Sequence, residues 1–405
     1  MVEDEEDYDH IDKIFCECTP ERSELIDHVS VIIWDEFMSN HKYCFNSAYN
    51  SYNRFQGKVI IVIGDDGQIG PVVVNGKRRD TVHASIITHY LWPRFKIFRL
   101  TKNLRLLGVE RMLDLSNQQQ RDFLERQKNY AKILEQIRVG HRYSDAVQNV
   151  TFDDISGEET VRLPYCKYFS ETKEALEFVY PQGFQTPDLH KRAILCATNE
   201  DVDEWNFKVQ EMNPQPYVTL RSANQFKDID DSKGILKSML TDDAGMYYRQ
   251  NGVPDHLLTL KVGDLCFLMR TLNRKEKLSN NQRVRIVQIH RYSITVETVS
   301  DHPRQFQIPR IKFQIKLPFG GFVMIRTQFP LRLAYAMTFN KSQGQSIPFT
   351  LIDIRHPPFS HGHLYVSMSR ATDVDCTAFF CNKSQVEAEG VIAINVVYPE
   401  MMLDE

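Results

Sequence analysis

Val31-Ile32-Ile33-Trp34-Asp35-Glu36 and Val59-Ile60-Ile61-Val62-Ile63-Gly64-Asp65-Asp66-Gly67-Gln68 are two apolar, β-branched runs that each end in acid. Runs without polar alternation predict parallel strands buried on both faces, in an open α/β sheet. Ligands of such sheets bind beyond the carboxyl ends of the strands, so Asp35, Glu36, Asp65 and Gln68 are expected to share one crevice. Nucleotide hydrolysis needs a carboxylate to hold Mg2+, a second to orient or deprotonate water, and a polar group that senses the γ-phosphate. Asp35, Glu36 and Gln68 suit those roles in that order. Asp-Glu after an apolar strand is also common on ordinary surfaces. The second strand, with Gly64-Asp65-x-x-Gln68, is what favours a site.

Outward from this pair, Phe45, Ala48, Tyr49, Tyr52 and Phe55 recur at helical spacing, giving the helix of a β-α-β crossover. Asp80 to Leu91 reads as a helix and Phe95 to Leu100 as a strand. Arg105 lies just past that strand, in reach of a bound phosphate or of a surface carboxylate. Residues 109–138 read as amphipathic helix with Gly140 as its cap. A domain change is expected between about 140 and 165. Ala193 to Asn199 restarts the β-α alternation, with Asn199 placed to cap a helix carrying Val202, Trp205 and Val209.

Residues 213–255 read as irregular and polar. From Leu257 to about Gln328 short alternating segments predict a small antiparallel barrel inserted into the second α/β domain. Its basic cluster of Arg270, Arg274, Lys275, Lys277, Arg283 and Arg285 reads as solvated surface or nucleic-acid contact, and Phe267 and Tyr292 as core. After Leu333 the polar segment Asn340-Lys341-Ser342-Gln343-Gly344-Gln345-Ser346 is suited to gripping a phosphodiester backbone, or is a plain solvated loop. His361-Gly-His363 reads as a satisfied polar pair rather than a metal box.

Composition sets wider bounds. The chain has 405 residues, room for two to three domains, with ordinary hydrophobic (42%) and charged (25%) content. A net charge of −4 excludes nucleic-acid binding by bulk positive charge but permits a local basic groove. The eight cysteines lack zinc-module spacing, and Cys16-Glu-Cys18 has no partner ligands after it. Reduced core thiols are expected. No apolar run approaches the ~20 residues of a membrane span, and the acidic start is unlike a signal peptide, which predicts an intracellular protein.

Taken together, the motifs resemble the PIF-one family of superfamily-one DNA helicases, especially its Helitron-encoded branch, over most of residues 30 to 382. Ile32-Ile-Trp-Asp35-Glu36 is similar to the family's magnesium motif, and Gly64-Asp65-x-x-Gln68-Ile-x-Pro71-Val72 to its γ-phosphate sensor. Leu100-Thr-x-Asn103-Leu-Arg105 resembles the motif bearing one arginine finger. Thr338-x-Asn340-Lys341-Ser-Gln343-Gly344-Gln345-Ser346 resembles the DNA-gripping and coupling motif, and Phe359-Ser-His-Gly-x-Leu-Tyr365-Val-x-x-Ser369-Arg370 the last motif, with the second finger. The resemblance implies two RecA-like domains, the first incomplete, with a small SH3-like barrel insert: residues 1–140, then 165–256 with 329–385, and 257–328 inserted. It implies ATP and Mg2+ (on Asp35), with nucleotide contacts from Gly64, Asp65, Gln68, Arg105, Gly344, Gln345 and Arg370. DNA contacts fall to Asn199, Thr338, Asn340, Lys341 and Gln343. The implied activity is 5′ to 3′ translocation on single-stranded or forked DNA in the nucleus, in repair, recombination or telomere maintenance.

Two departures qualify this. No Gly-x-x-x-x-Gly-Lys-Ser/Thr occurs in the 405 residues, so the expectation is an N-terminally truncated helicase that hydrolyses ATP poorly by itself. Where the family usually has Gly-Asp-Phe-Arg-Gln, this chain has Gly64-Asp-Asp-Gly-Gln68, which suggests relaxed function. The alternative is an inactive transposon-derived remnant that at most binds single strands. A magnesium nuclease on Asp35, Glu36 and Asp65 would leave Arg105, Arg370 and the Lys341 segment without a role.

Overall fold

The computed structural model describes residues 24, 26–51, 57–140, 151–153, 158–163, 166–183, 186, 188–227, 248, 250, 252–300, 302–316, 323–371, 374–387 and 390–403. The acidic start, Cys16-Glu-Cys18 and most of the expected domain change after residue 140 lie outside the described residues. Two compact units make up the chain: residues 1–167, 354–375 and 381–405, and residues 168–353 with 376–380.

The elements that position the candidate sites begin with strand β1 (Val31–Trp34), helix α1 (Lys42–Ser51), strand β2 (Val59–Val62), helix α2 (Leu104–Met112) and helix α3 (Gln118–Val139). Next come β3 (Arg192–Cys196), α4 (Asn199–Glu211), β4 (Ala336–Thr338), the short α5 (Phe339–Ser342) and β5 (Phe349–Asp353). The chain then forms α6 (His363–Ser369), β6 (Thr377–Phe380) and β7 (Gly390–Val396).

In the first unit β1 and β2 pair in parallel, Val31 opposite Val59 through Trp34 opposite Val62, with α1 between them in sequence. The expected burial on both faces is not what forms. Trp34 and Val62 pack against Phe37, Met38, Phe45, Ile86 and Leu91, whereas Ile33 is 64% and Val59 58% exposed. Among the described residues this sheet has two strands, so one face alone is covered. Residues 96–103 form no strand; Phe98 and Leu100 lie exposed with no ladder partner to hold them. The helix expected over 80–91 breaks at Ser85, whose hydroxyl caps the following 3-10 turn by accepting from Ile87 N–H. Helix α3 ends as its sequence requires: Gly140, at φ 70°, caps it through an N–H to Gln136 O. Tyr130 of α3 donates to Met368 O at 2.9 Å and so ties α6 to α3.

The second unit holds a parallel sheet in the order β4-β3-β5-β6, with Lys167–Phe169 at the far edge. Ala193 to Cys196 are 0% exposed, the two-sided burial that an unbroken apolar run specifies. Trp205 of α4 is fully buried and donates to Asp353 Oδ2 of β5 at 2.7 Å. Beyond α4 an antiparallel five-stranded sheet runs in the order Gln305–Pro309, Ser293–Thr298, Arg283–Ile289, Leu265–Leu268, Leu331–Leu333. Its inward positions, Val284, Ile286, Ile294, Val296 and Ile308, are buried together as the alternation predicts.

Residues 213–255 are less irregular than their sequence suggests. Val218–Arg221 pairs with Leu257–Leu260, and Ala223–Lys227 with Val323–Gln328. Their partners lie far along the chain, so no local hairpin pattern announces them. Asp264 joins the antiparallel sheet to the parallel one. Its buried carboxylate accepts from Gln210 Nε2 (2.5 Å), Asn213 Nδ2 (3.0 Å) and Tyr335 Oη (3.2 Å). Burial pushes this carboxyl up, although those donors oppose the shift.

Candidate nucleotide and nucleic-acid sites

Pairing continues past the ends of β1 and β2: Ile63 N–H donates to Trp34 O at 2.9 Å and Phe37 N–H to Ile63 O at 2.8 Å. Asp35-Glu36 and Gly64-Asp65 are therefore carried side by side. Glu36 sits at φ 51°, ψ 40°, a left-handed conformation unusual for a residue with a side chain. Its carbonyl accepts from Ser39 Oγ (2.8 Å) and Asn40 Nδ2 (3.0 Å), which hold the turn. Asp35 is exposed and spends one oxygen on Glu36 N–H at 3.0 Å. In the second turn Asp65 accepts from Gly67 N–H (3.0 Å), Gln68 Nε2 (3.3 Å) and Tyr365 Oη (2.9 Å). Gln68 Oε1 is covered and meets no donor among the described residues.

Both candidate fingers lie in this same unit. Arg105, exposed on the first turn of α2 behind its Asn103 cap, donates from Nη1 to Ser369 O at 3.0 Å. Arg370 follows α6, is 6% exposed, and donates to Val366 O (2.9 Å) and Ser369 Oγ (2.8 Å). Burial and the nearby Arg105 charge lower its pKa, while Tyr365, Glu36 and Asp65 pull it back up. Burial, then Asp65, raises the Tyr365 hydroxyl, which therefore stays a donor. The structure thus brings Glu36, Asp65, Gln68, Tyr365, Arg105 and Arg370 within one unit.

The other candidates occupy the second unit. Strands β3 and β4 run parallel with Cys196 opposite Thr338, so Asn199, opening α4, and Thr338, capping α5, share one sheet edge. Asn340 and Lys341 lie on α5, and Gln343 follows it. Burial, then the Arg332 charge, pushes the Lys341 ammonium down to about 8, with Asp203 opposing. The chain turns at Gly344 (φ 74°), and Gln345 Nε2 returns to Lys341 O at 2.8 Å. Of the expected basic surface cluster, Arg283 is instead buried, at 7% exposure, and donates to His190 O and Arg192 O. Tyr292, expected in the core, is 73% exposed in the turn before Ser293–Thr298, with Arg291 over its ring.

Residues 6–148 match the family model described as PIF1-like helicase. The chain is 22% identical over 378 residues to the ATP-dependent DNA helicase Pif1 of Campylobacter jejuni, covering 89% of this chain and 71% of that one. It is 23% identical over 364 residues to the ATP-dependent DNA helicase PIF1 of Danio rerio, covering 87% of this chain and 45% of that one. Residues 6–148 thus carry the PIF1-like helicase match, and the chain over most of its length is similar to ATP-dependent DNA helicases of the Pif1 name. The crystal structure of Pif1 helicase from Candida albicans superposes with a TM-score of 0.57 at 18% identity, covering 89% of this chain and 74% of that one. That of Pif1 from Bacteroides in complex with ADP-AlF3 and ssDNA gives 0.56 at 18% identity, covering 96% and 76%. The fold is accordingly the mixed α/β fold of Pif1 helicases, with its two RecA-like domains.

The unusual Asp66-Gly67 of the turn after β2 has a structural partner. Asp66 is buried, pairs with Arg138 Nη1 at 2.6 Å and accepts from Leu403 N–H at 2.9 Å. A Cβ on Gly67 would overlap the Arg138 side chain, and one on Gly362 would meet Gly67 O at 2.5 Å. His361 Nε2 bonds Asp66 O at 2.8 Å while Nδ1 accepts from Tyr398 N–H at 3.0 Å. His361 is thus a satisfied polar side chain, and burial lowers its pKa. Among the described residues no three His, Cys, Asp or Glu side chains gather as a metal cage. Arg138 and Leu403 carry no signal in the sequence, because each meets Asp66 from a distant part of the chain.

Proposed function

We propose that this PIF1-like helicase binds ATP against the turns after β1 and β2 and uses its hydrolysis to move 5′ to 3′ along single-stranded DNA. The observation that supports this most is the convergence of Glu36, Asp65 and Gln68 with two arginines in one unit. In this reading Glu36 takes the proton of the attacking water and Gln68, whose Oε1 has no protein donor among the described residues, orients it. Gly64 and Asp65 shape the wall facing the γ-phosphate, and Arg105 and Arg370 stabilise charge developing on it. An exposed Asp35 with one uncommitted oxygen suits Mg2+ held mainly by phosphate and water oxygens. When bound, Mg2+ would neutralise charge on the β- and γ-phosphates.

Asn199, Thr338, Asn340, Lys341 and Gln343 would hold the DNA backbone, with Gly344 and Gln345 linking that segment to the nucleotide. By the resemblance we take residues 165–256 with 329–385 as the second RecA-like domain and 257–328 as a barrel insert, although by compactness residues 354–375 group with residues 1–167. The 405 residues contain no phosphate loop, and the proposal includes weak hydrolysis by this polypeptide alone. Arginine fingers, worth ~10³ to 10⁵ in rate, act on a nucleotide already positioned.

The test is single-strand-stimulated ATPase, measured on this polypeptide and on a version extended upstream with a phosphate-loop segment. Activity gained by the extension and lost again on Glu36→Gln supports the reading; an extended protein that binds ATP yet stays inert refutes it. The second reading, a binding module without hydrolysis, is favoured by the same missing loop. It predicts salt-sensitive strand binding that ATP analogues leave unchanged.

A further inference from the structure

The stretch from Gly64 to Gly70, which carries Gln68, has glycine at 64, 67 and 70, and none of the three has a positive φ. Glycine here serves close approach rather than an unusual backbone conformation, so the turn takes its shape from what packs on it. Much of that packing comes from residues 396–403, the end of β7 and the segment after it. A Cβ on Gly70 would overlap Met401, itself 1% exposed. Leu403 N–H donates to Asp66 Oδ2 at 2.9 Å and Arg138 Nη1 to Oδ1 at 2.6 Å, so both oxygens of this buried carboxylate are engaged. Tyr398 N–H donates to His361 Nδ1 at 3.0 Å, and His361 Nε2 donates to Asp66 O at 2.8 Å. Asp66 is thereby tied to the same segment a second time. Asp66 and Gly67 are also the two positions at which the turn departs from the usual Gly-Asp-Phe-Arg-Gln, and they are the two that meet Leu403 and Arg138.

The segment has anchors of its own away from the turn. Pro399 opens a 3-10 turn over Pro399–Met401. Val396, Tyr398 and Met401 are buried against Val82 and Ile87. Arg78 Nη2 donates to both carboxylate oxygens of Glu400 at 3.0 Å. A donor carried on a support fixed in this way gives up little further freedom in holding the turn.

We propose that residues 396–403 are a strut that sets the conformation of the turn 64–70, with the N–H groups of Leu403 and Tyr398 as its points of contact and Asp66 as the residue they hold. The consequence for chemistry rests on the function proposed above: the strut orients Gln68 toward the γ-phosphate and so governs the rate of hydrolysis, although it carries none of the helicase motifs. Leu403 and Asp66 are then positioning residues that act through Gln68.

The experiment is hydrogen exchange read by mass spectrometry on the full chain, in wild type, Leu403→Pro, Leu403→Ala and Glu400→Ala. Proline removes the N–H and fits after Met402, whose ψ is 135°, whereas alanine keeps the N–H. The amides of Gly67 and Gln68, which bond to Asp65, report on the turn. Loss of one hydrogen bond in Leu403→Pro is expected to speed their exchange about fivefold. Leu403→Ala should leave it unchanged, and Glu400→Ala, which removes the bond to Arg78, should speed it about twofold. Amides of β3 monitor global opening. Unchanged exchange in folded Leu403→Pro, an equal rise in Leu403→Ala, or an equal rise in β3 overturns the strut. If thermal melts show that Leu403→Pro does not fold, Glu400→Ala decides. Single-strand-stimulated ATPase of the upstream-extended polypeptide tests the consequence. There Leu403→Pro is expected to lower kcat by roughly 10- to 10²-fold at unchanged KM for ATP, with Leu403→Ala at the wild-type value. A loosened turn with unchanged kcat overturns the positioning role and leaves the helicase reading intact. An extended wild type that stays inert refutes that reading, and the exchange result then decides the strut by itself.

Discussion

Lys341 shows how one residue ties stability and function to pH in opposite directions. Its ammonium is pushed down to about 8 by burial and by Arg332, whereas an unfolded lysine titrates near ~10.4. Between those values the unfolded chain binds more protons, so this residue makes stability rise with pH through that window. In the function proposed above, strand binding draws on the charged form and should weaken as pH rises from about 7 to about 9. Lys341→Arg, ionised throughout, is expected to flatten the profile when anisotropy is followed against pH. Tyr365 is a second case. Its hydroxyl donates to Asp65 at 2.9 Å, and Tyr365→Phe should cost about 1 kcal/mol in urea unfolding. The Tyr365 motif was readable in sequence as a family resemblance, but its bond to Asp65 was not, because 300 residues separate the partners.

At the scale of elements, the turn after β2 is held by parts of the chain that its own sequence does not mention. Arg138 is drawn to Asp66 from the last turn of α3, and burial works against its charge. Glu135, Asp66 and Asp65 more than offset that and raise its pKa. Arg138→Ala leaves the Asp66 carboxylate buried without its cation and should destabilise by roughly 3 kcal/mol, whereas Asp66→Ala leaves Arg138 paired with Glu135 and should cost less. A double-mutant cycle on thermal unfolding should return a coupling of roughly 1 to 3 kcal/mol. The Asp66-Gly67 pair, which looked like relaxation in the sequence, is thus matched to Arg138. Glycine substitutions sharpen the point. Gly362 has φ 74° and backbone at 2.5 Å, while Gly108 in α2 has nothing within 4 Å. Gly362→Ala should destabilise by more than about 1 to 2 kcal/mol, and Gly108→Ala should stabilise by about 0.5 to 1 kcal/mol.

Across the whole molecule the two sheets differ in how completely they are covered. Ala193 to Cys196, Leu351 and Ile352 are 0% exposed, whereas Val31, Ile33, Val59 and Ile61 of the β1-β2 pair are exposed. Hydrogen exchange should therefore show β3 and β5 amides opening only with global unfolding, and β1 and β2 amides opening at lower free energy. Equal protection in both sheets would contradict this. Similar apolar runs specified both sheets, and the difference lies in how many strands and helices each finds to cover it.

The amino-acid order by itself determined β1, β2, β3 and β5, the acids that follow β1 and β2, the Gly140 cap of α3 and the polar segment at Lys341. These depend on residue type at short spacing, where β-branching, capping and turn chemistry act locally. The cap of α4 falls instead to Thr198, one residue before the expected Asn199, and no strand forms over 95–100. Only the tertiary structure decided that Arg138 anchors Asp66, that Tyr365 donates to Asp65 with Arg370 near that turn, and that buried Arg283 lines a cavity with Lys341. Such contacts join residues tens to hundreds apart, and they arise from burying charge and filling space in three dimensions, which no local pattern encodes.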